Sequence, residues 1–298
     1  MRRIVCVGEC MVEFAPIEGQ SYRRGFAGDT FNSAWYLRRI LPEEWAVDYV
    51  SCVGTDAISD EMIGFMAAAG VGTAGIRRVP DRTVGLYTIS LHDGERSFTY
   101  WRSASAARSL AADAGWLGDQ LAGADTLLFS GITLAILPPE GRLVLLDRLR
   151  HARSTGATVV FDPNIRLHLW PDADAARHAI AAAAAVSDLV VPSFEDDALL
   201  FGDADPEVTI ARYRAAGATS VVVKNGPGQI VAWSDREGLS SLHPPGVKVV
   251  DTTAAGVSFN AGLLAARARG ASLAAAIDSG ARLAGHVCGA AGALVPLP

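Results

Sequence analysis

Short, continuous apolar runs alternate with helical stretches along most of this chain, and that alternation limits the fold more than any other feature. The runs span residues 4–8, 47–54, 126–130, 157–161, 188–191 and 220–223. A strand covered on both faces is apolar along its whole length, and repeated strand–helix units build a parallel sheet. We therefore predict an α/β fold, with a doubly wound, mostly parallel sheet in a single domain over residues 1–298.

Two β-rich runs, 84–91 and 96–102, interrupt the alternation, and Asp93-Gly94 lies between them. An Asp-Gly pair between such runs is a strong signal for a hairpin. We predict that segments near 10–28 and 82–104 form a small β-sheet lid beside the main sheet.

The lid carries three candidate ligand contacts, which are Tyr87, Tyr100 and Arg102. These side chains either point toward a ligand or take part in ordinary packing between neighbouring strands. The local pattern alone favours packing.

The composition excludes some classes of partner. The chain has 298 residues, 50% of them hydrophobic, with a formal net charge of −6 and an isoelectric point near 5.5. This acidic balance argues against nucleic acid or an anionic membrane as the main partner. Any ligand that carries phosphate would have to be held by local features of the site.

The cysteines and histidines follow no redox or metal-binding pattern. The cysteines are Cys6, Cys10, Cys52 and Cys288, without a CxxC pair, and the six histidines form no HExxH motif. We predict buried reduced thiols and no zinc site. Together with an amino terminus that does not read as a signal peptide, these thiols indicate a cytoplasmic protein.

Polar residues follow several predicted strands, at the edge where open α/β sheets bind ligands. Glu9 follows the first strand, and the polar cluster 162–166 follows the run 157–161. Glu9 is equally compatible with a ligand contact and with a surface position. Arg166 either pairs with a carboxylate of a ligand or lies in solvent as part of a turn.

The stretch 25–32 opens a helix after a glycine-rich turn, with Asp29 as its expected N-cap. Asp29 and Asn32 lie one helical turn apart and could hydrogen-bond neighbouring hydroxyls of a sugar. From the local pattern, a well-capped helix without ligand contacts is the simpler interpretation.

A basic, glycine-rich turn at 224–228 follows the strand 220–223. Its glycines either leave room for a nucleotide against the backbone or form a tight turn into the next strand. Ser193 is the expected N-cap of a separate acidic helix, whose acidity is explained by the helix dipole.

The stretch 251–260 reads Asp-Thr-Thr-Ala-Ala-Gly-Val-Ser-Phe-Asn and follows the apolar run 247–250. It predicts a strand, a turn of small residues and a helix start, whose unpaired backbone N–H groups can hold a phosphate. Val257 is out of place there, because the first helical turn favours polar or acidic side chains.

Together these stretches resemble the ribokinase-like (PfkB) family of carbohydrate kinases over nearly the whole chain, and within it the kinases of 2-keto-3-deoxygluconate. The resemblance is carried by residues 7–13, 25–32, 85–87, 98–102, 130–135, 162–166, 169–170, 223–226 and 251–262. It implies a ribokinase-like sheet with a β lid. It also implies transfer of the γ-phosphoryl group of ATP, with Mg²⁺, to the terminal hydroxyl of that sugar acid.

The resemblance also implies a role for individual residues. The sugar acid would be bound by Gly28, Asp29, Asn32, Tyr87, Tyr100, Arg102 and Arg166. The nucleotide would be bound by Asn164, Ser193, Lys224, Gly226, Gly228, Ala254, Ala255 and Gly256. Catalysis would involve Ala255, Gly256, Arg166 and position 257. No side chain is expected to bind metal, because the phosphates and water would carry Mg²⁺.

Two positions depart from the family. Ala27 replaces a glycine that is common in the first motif. At Val257 the family has an aspartate that takes the proton from the attacking hydroxyl, and valine cannot act as a base. Asp251 could substitute, but its place ahead of the loop favours a role in orienting the loop or a metal-bound water. We therefore predict a site that binds sugar acid and nucleotide but turns over slowly.

Two other functions stay open, namely another PfkB sugar kinase, such as a fructokinase or ribokinase, and a non-catalytic ligand-binding protein on the kinase fold. A dinucleotide oxidoreductase is excluded, because no GxGxxG follows the first strand. Tyr87, Phe98, Tyr100 and Trp101 would expose much apolar surface on an isolated lid. We therefore expect a homodimer or higher homo-oligomer that forms through the lid.

Overall fold

The computed structural model describes residues 2–17, 21–92 and 95–297. In this part of the chain the strands form one nine-stranded sheet and one four-stranded sheet. The strands are β1 (Arg2–Val7), β2 (Met11–Pro16), β3 (Tyr22–Ala27), β4 (Trp45–Val53), β5 (Ile76–Arg78), β6 (Leu86–His92), β7 (Glu95–Trp101), β8 (Thr126–Ser130), β9 (Thr158–Asp162), β10 (Leu189–Val190), β11 (Ser220–Val223), β12 (Ile230–Ser234) and β13 (Gly238–Leu242). The helices are α1 (Asp29–Ile40), α2 (Ala57–Ala68), α3 (Ala114–Leu121), α4 (Gly131–Ile136), α5 (Pro139–Ser154), α6 (Ala173–Ala185), α7 (Phe194–Phe201), α8 (Pro206–Ala215), α9 (Ala255–Ala268) and α10 (Leu273–Cys288).

The large sheet has the order β13-β12-β11-β10-β9-β8-β1-β4-β5. Its strands from β11 to β5 pair in parallel, and β12 and β13 extend it as an antiparallel edge. The apolar runs of the sequence become these parallel strands, because each is covered by helices on both faces. The predicted α/β fold with a mostly parallel sheet is confirmed.

Two apolar layers cover the two faces of the large sheet. Successive side chains of a strand point to opposite faces, so Ile4 and Cys6 of β1 pack in one layer, and Val5 and Val7 in the other. The first layer is closed by α1, α9 and α10, and the second by α3, α5 and α6. The sheet is therefore wound on both sides, as predicted.

The small sheet has the order β3-β2-β6-β7 and is drawn from the two segments expected to form a lid. β2 and β3 pair antiparallel, as do β6 and β7, and Tyr87 lies directly opposite Tyr100. The last pair of the second hairpin is His92 with Glu95. The Asp93-Gly94 turn predicted between them lies outside the described residues.

One predicted strand is wrong. Residues 247–250 form no strand, and Val249 and Val250 are more than half exposed. The backbone N–H groups of Val250 and Asp251 bond instead to the carbonyl of Cys288, at the end of α10. This segment is therefore held by a helix end, and it reaches the start of α9 without joining the sheet.

The expected burial of the thiols is confirmed, whereas Tyr87, expected among the exposed aromatic side chains of the lid, is buried. Cys6, Cys10, Cys52 and Cys288 are free and buried. Within residues 2–17, 21–92 and 95–297, we find no helix with the length and apolar character needed to cross a membrane.

Candidate active site

A cavity of about 610 Å³ lies at the carboxyl ends of β1, β9 and β11, and side chains of β6 and β7 form part of its wall. Most of the predicted site residues line it, namely Gly28, Asp29, Asn32, Tyr87, Tyr100, Arg102, Asn164, Arg166, Ser193, Lys224, Gly256 and Val257. The predicted residues that do not line it are Gly226, Gly228, Ala254 and Ala255. The topology thus brings together residues from both sheets that are far apart in sequence.

The cavity wall also contains residues that were not assigned to the site from the sequence. These are Glu9, Met11, Ser97, Phe98, Ile132, Asp162, His168, Asp196, Thr252, Thr253 and Ala293. The sequence makes Glu9 a candidate ligand contact, because it follows the first strand. Asp162 belongs to the polar cluster 162–166 and His168 closely follows it. This cluster is the sequence feature that points to both residues. For Asp196 the sequence shows only an acidic helix start, which the helix dipole explains without a ligand.

The turn between β3 and α1 packs tightly against the end of β1. A Cβ atom on Gly28 would lie 2.1 Å from the carbonyl oxygen of Glu9, so only glycine fits. Gly28, and not Asp29, is the N-cap of α1, and it makes no side-chain cap. The predicted N-cap is therefore wrong by one residue, because the close contact with Glu9 requires glycine at the cap position.

Asp29 does not cap α1, and it lines the cavity instead. Its Oδ1 accepts a hydrogen bond from the backbone N–H of Thr30 at 2.8 Å, and its Oδ2 accepts one from Nδ2 of Asn164 at 3.0 Å. Burial raises the pKa of the Asp29 carboxyl, and the hydrogen bonds from Ser130, Thr30 and Asn164 oppose that rise. Asp29 therefore combines an oriented carboxylate with a strong tendency to accept a further donor, such as a sugar hydroxyl.

Asn164 is the one non-glycine residue with a positive φ in the described parts of the chain, at 32°. Asparagine tolerates this region better than most residues, since its side chain can hydrogen-bond locally. Its backbone N–H donates to Oδ1 of Asp162 at 3.2 Å, and this bond closes the turn after β9. Strained backbone of this kind is typical of functional sites.

The lid side of the cavity is aromatic. The ring of Tyr100 stacks with Phe98, with centroids 6.3 Å apart, and contacts Tyr87 at 5.7 Å. The hydroxyl of Tyr87 donates to the buried Glu13. Burial, followed by the charge of Glu13, raises the pKa of Tyr87. Tyr87 thus offers its ring to the cavity, while its hydroxyl is committed to Glu13.

Each arginine and lysine that lines the cavity is paired with a carboxylate. Arg102 pairs with Glu9 in a buried contact. Both sides of this pair keep an unpartnered buried atom, Oε1 of Glu9 and Nε of Arg102. A buried charge is costly unless it is paired, so loss of either partner would leave the other charge uncompensated.

The other two ion pairs differ in burial. Nζ of Lys224 lies 3.2 Å from Oδ2 of Asp162, and both side chains are about nine-tenths buried. Nη1 of Arg166 lies 3.4 Å from Oδ2 of Asp196, and the Arg166 side chain is 43% exposed. Burial raises the pKa of Asp196, whereas the charge of Arg166 lowers it. Arg166 is therefore the cation that a ligand can recruit at least cost.

The start of α9 supplies backbone N–H groups to the cavity. The first turn of a helix leaves such groups without an intrahelical acceptor, and Gly256 and Val257 of that turn line the cavity. A Cβ atom on Gly256 would lie 3.5 Å from Nζ of Lys224. A lysine and a helix start therefore converge on one place, which is an arrangement suited to phosphate.

The side chains of Ser193 and Asp251 differ in their hydrogen bonds. Ser193 occupies the N-cap position of α7, but its side chain makes no cap hydrogen bond. Oδ1 of Asp251 accepts bonds from the N–H and hydroxyl of Thr253, and its Oδ2 accepts from the N–H of Gly292 at 2.7 Å. These bonds tie the carboxylate of Asp251 to the loop and keep it outside the cavity wall.

Val257 lies at the junction of the cavity and the core. Its side chain is 9% exposed and packs with the apolar layer beside α1. Its backbone carbonyl accepts a hydrogen bond from Oγ of Ser33 at 3.2 Å. The position is therefore well fixed next to the anion-binding helix start, and its side chain carries only methyl groups, with no atom that can accept a proton.

The described residues contain no group of three or more histidine, cysteine or acidic side chains that could hold a metal ion. The carboxylates of Asp162 and Asp196, which line the cavity, are each engaged by a cation. Magnesium keeps several of its waters and is usually bound by one or two carboxylates together with substrate phosphates. The wall of this cavity fits that mode of binding better than a cage of protein ligands.

Comparison with known proteins agrees with the geometry. A family model described as "pfkB family carbohydrate kinase" matches residues 1–298. The 2-dehydro-3-deoxygluconokinases of Dickeya dadantii and Escherichia coli (strain K12) are 38% and 37% identical to this chain, over 99% of it and 97% of each relative. A fructokinase with bound ATP from Xylella fastidiosa has the same fold, with a TM-score of 0.83 and 24% identity, over 98% of this chain and 94% of that chain.

Proposed function

Because this chain belongs to the pfkB family of carbohydrate kinases, we propose that it phosphorylates 2-keto-3-deoxygluconate, also called 2-dehydro-3-deoxygluconate. The γ-phosphoryl group of ATP would pass to the terminal hydroxyl, and Val257 would make this transfer slow. One observation carries the proposal. A single cavity joins a helix start suited to phosphate with a carboxylate, an amide and arginines suited to a sugar acid.

The sugar acid is held by two kinds of contact in this proposal. Asp29 and Asn32 accept and donate hydrogen bonds to its hydroxyls, and both line the cavity. Arg166 turns from Asp196 toward the carboxylate of the sugar acid, with which it can form a bidentate pair. Tyr100 and Arg102 close the lid side of the site.

The nucleotide lies at the other end of the cavity. Lys224 and the N–H groups at the start of α9 receive the phosphates, and Gly256 lets them approach the backbone. Mg²⁺, bound mainly by phosphates and water, would neutralise charge that develops on the transferring group. Asp162 and Asp196 line the cavity beside Lys224 and Arg166, and their carboxylates would contact its waters.

The transfer forms a bond between the hydroxyl oxygen and the γ-phosphorus, breaks the bond to ADP, and releases the hydroxyl proton. The family resemblance assigns the base for that proton to position 257, and the side chain of Val257 would be unable to accept it. Asp251 is directed toward Thr253 and Gly292 and lines no part of the cavity. Loss of a general base typically costs about 10²- to 10⁴-fold in rate.

The test compares this protein with Val257→Asp, using ATP, Mg²⁺ and 2-keto-3-deoxygluconate. We expect kcat to rise by about 10²- to 10⁴-fold in Val257→Asp. Val257→Asn is the matched control, since it has a similar size and polarity but no basic oxygen, and it should stay slow. An ordinary kinase rate in the starting protein, or equal rates in the aspartate and asparagine variants, would refute the role given to position 257.

Val257 also favours a second function, a ligand-binding protein that does not turn over. The substrate contacts fit either function, so binding alone does not separate them. Calorimetry with ATP and the sugar acid should detect binding in both cases. Sustained release of ADP that depends on the sugar acid supports the slow kinase, and binding without any such release supports the second function.

We also propose a homo-oligomer that forms through the lid, in the cytoplasm. Tyr22, Phe98 and Trp101 of the small sheet are 48%, 39% and 59% exposed, an unusual density of large apolar side chains for a free surface. The four buried, unpaired thiols suit a reducing compartment.

A further inference from the structure

The ring of His168 stacks on the ring of Tyr100, with centroids 5.9 Å apart and planes 25° apart. His168 lies in the short turn that follows β9, whereas Tyr100 belongs to β7 in the small sheet. Both side chains line the cavity, so this stack joins the small sheet to the segment after β9 at the cavity wall. No function was assigned to His168 from the sequence.

Burial and two cavity-lining arginines act on the charge of His168, and each arginine is itself paired with a carboxylate, Arg102 with Glu9 and Arg166 with Asp196. Arg166 lies on the same segment as His168, and Arg102 reaches it from the lid. Asp196, on α7, pairs with Arg166 and thereby offsets part of its charge. Burial and the two guanidinium groups lower the pKa of His168. At neutral pH the imidazole of His168 in the free protein is therefore neutral.

An anionic ligand changes this balance. A carboxylate bound beside Arg102 and Arg166 cancels much of their effect on the imidazole and favours its protonated form. The protonated ring would then act as a further donor to the carboxylate, while its face stays on Tyr100 in a cation–π contact. A neutral ligand brings no such compensation.

We propose that His168 is a third cationic contact for the carboxylate of the ligand, and that it takes up a proton when the ligand binds. The inference rests on the proposed sugar-acid substrate and adds to it a basis for selecting acids over neutral sugars. By linkage, the affinity for the acid must rise as the pH falls through the pKa of His168 in the complex. The rise must end below the pKa of His168 in the free protein.

Calorimetry tests this without any need for turnover. The full-length protein is titrated with 2-keto-3-deoxygluconate at pH 7 in HEPES and in imidazole, two buffers with different enthalpies of ionisation. The difference in observed heat gives the number of protons taken up. We expect clear uptake in the starting protein and none in His168→Gln, whose affinity should be about 3- to 10-fold lower at pH 6 and nearly unchanged at pH 8.

Two further variants keep the test decisive. His168→Arg carries a permanent charge, so it should bind tightly without proton uptake and with little dependence on pH. Asp196→Asn removes a second group that could gain a proton, because Asp196 loses its partner when Arg166 turns to the ligand. Uptake that persists in His168→Gln and disappears in Asp196→Asn would place the proton on Asp196 and overturn the inference.

The outcomes also separate this inference from the proposed function. Binding of the sugar acid without proton uptake in the starting protein overturns the role of His168 and leaves the substrate intact. Absence of binding at millimolar ligand overturns the substrate and the role of His168 together. A reduced analogue with a primary alcohol in place of the carboxylate should bind with the same affinity to the starting protein and to His168→Gln.

Discussion

Asn164 donates a hydrogen bond from Nδ2 to Oδ2 of Asp29 over 3.0 Å, and so joins the turn after β9 to the first turn of α1. The family resemblance assigned Asn164 to the nucleotide. Its side chain is instead directed to the carboxylate that we propose binds the sugar. The positive φ of Asn164, at 32°, is the backbone strain that accompanies this contact.

Replacement of Asn164 separates the hydrogen bond from the strain. Asn164→Ala and Asn164→Gly both remove the donor to Asp29, and both should bind the sugar acid about 10-fold more weakly, since a bond to a charged group contributes about 1.5–3 kcal/mol. The alanine variant should be less stable than the glycine variant by about 1 kcal/mol, because a Cβ atom disfavours positive φ. Calorimetry and urea denaturation measure the two effects. Unchanged affinity in the glycine variant would contradict the role of the amide.

The buried pair of Glu9 and Arg102 should show strong coupling. In a double-mutant cycle with Glu9→Gln and Arg102→Gln, each single variant leaves a buried charge alone and should lose about 3–5 kcal/mol of the free energy of unfolding. The double variant should recover part of that loss, with a coupling of about 1–3 kcal/mol. Urea denaturation gives these values.

A solvent-exposed pair provides the control for that cycle. Arg78 and Asp60 form an ion pair in which the side chains are 37% and 65% exposed. Their coupling should be below about 1 kcal/mol, since water screens exposed charges. Equal coupling in the two pairs would mean that burial does not strengthen the contact between Glu9 and Arg102.

Lys224→Gln should weaken ATP binding about 10- to 100-fold, because charge-assisted bonds to phosphate contribute about 1.5–3 kcal/mol. The chain contains one other lysine, Lys248, which is exposed and lines no part of the cavity. Lys248→Gln is therefore the matched control and should bind ATP normally. The affinity for ATP is measured for both variants at equilibrium. Equal losses of affinity would mean that Lys224 does not bind the phosphates.

Trp101→Asp should convert the proposed oligomer to monomer, because it places a charge among the exposed apolar side chains of the small sheet. Leu143→Asp, at an equally exposed position of α5, should leave the oligomer intact. Sedimentation velocity at micromolar concentration distinguishes these results. A monomeric starting protein would contradict the oligomer itself, and dissociation by Leu143→Asp would move the interface away from the lid.

Sequence reasoning succeeded where local pattern and burial coincide. The apolar runs became the parallel strands, because a strand covered on both faces leaves no polar alternation. It failed where a contact with residues far away in the sequence determines the local structure. Gly28 replaces Asp29 as the N-cap because the backbone of Glu9 lies against it. The run 247–250 is held by the end of α10 and stays out of the sheet.

The sequence by itself determined the sheet, the two lid segments and a helix start within residues 251–260, since each depends on neighbouring residues alone. Only the tertiary structure decided how the charges of the cavity are paired. Arg102 meets Glu9 and Lys224 meets Asp162 across 93 and 62 positions of the chain. No local pattern encodes such pairs, because they form only when the ends of separate strands, from one sheet or from both, meet at the same cavity.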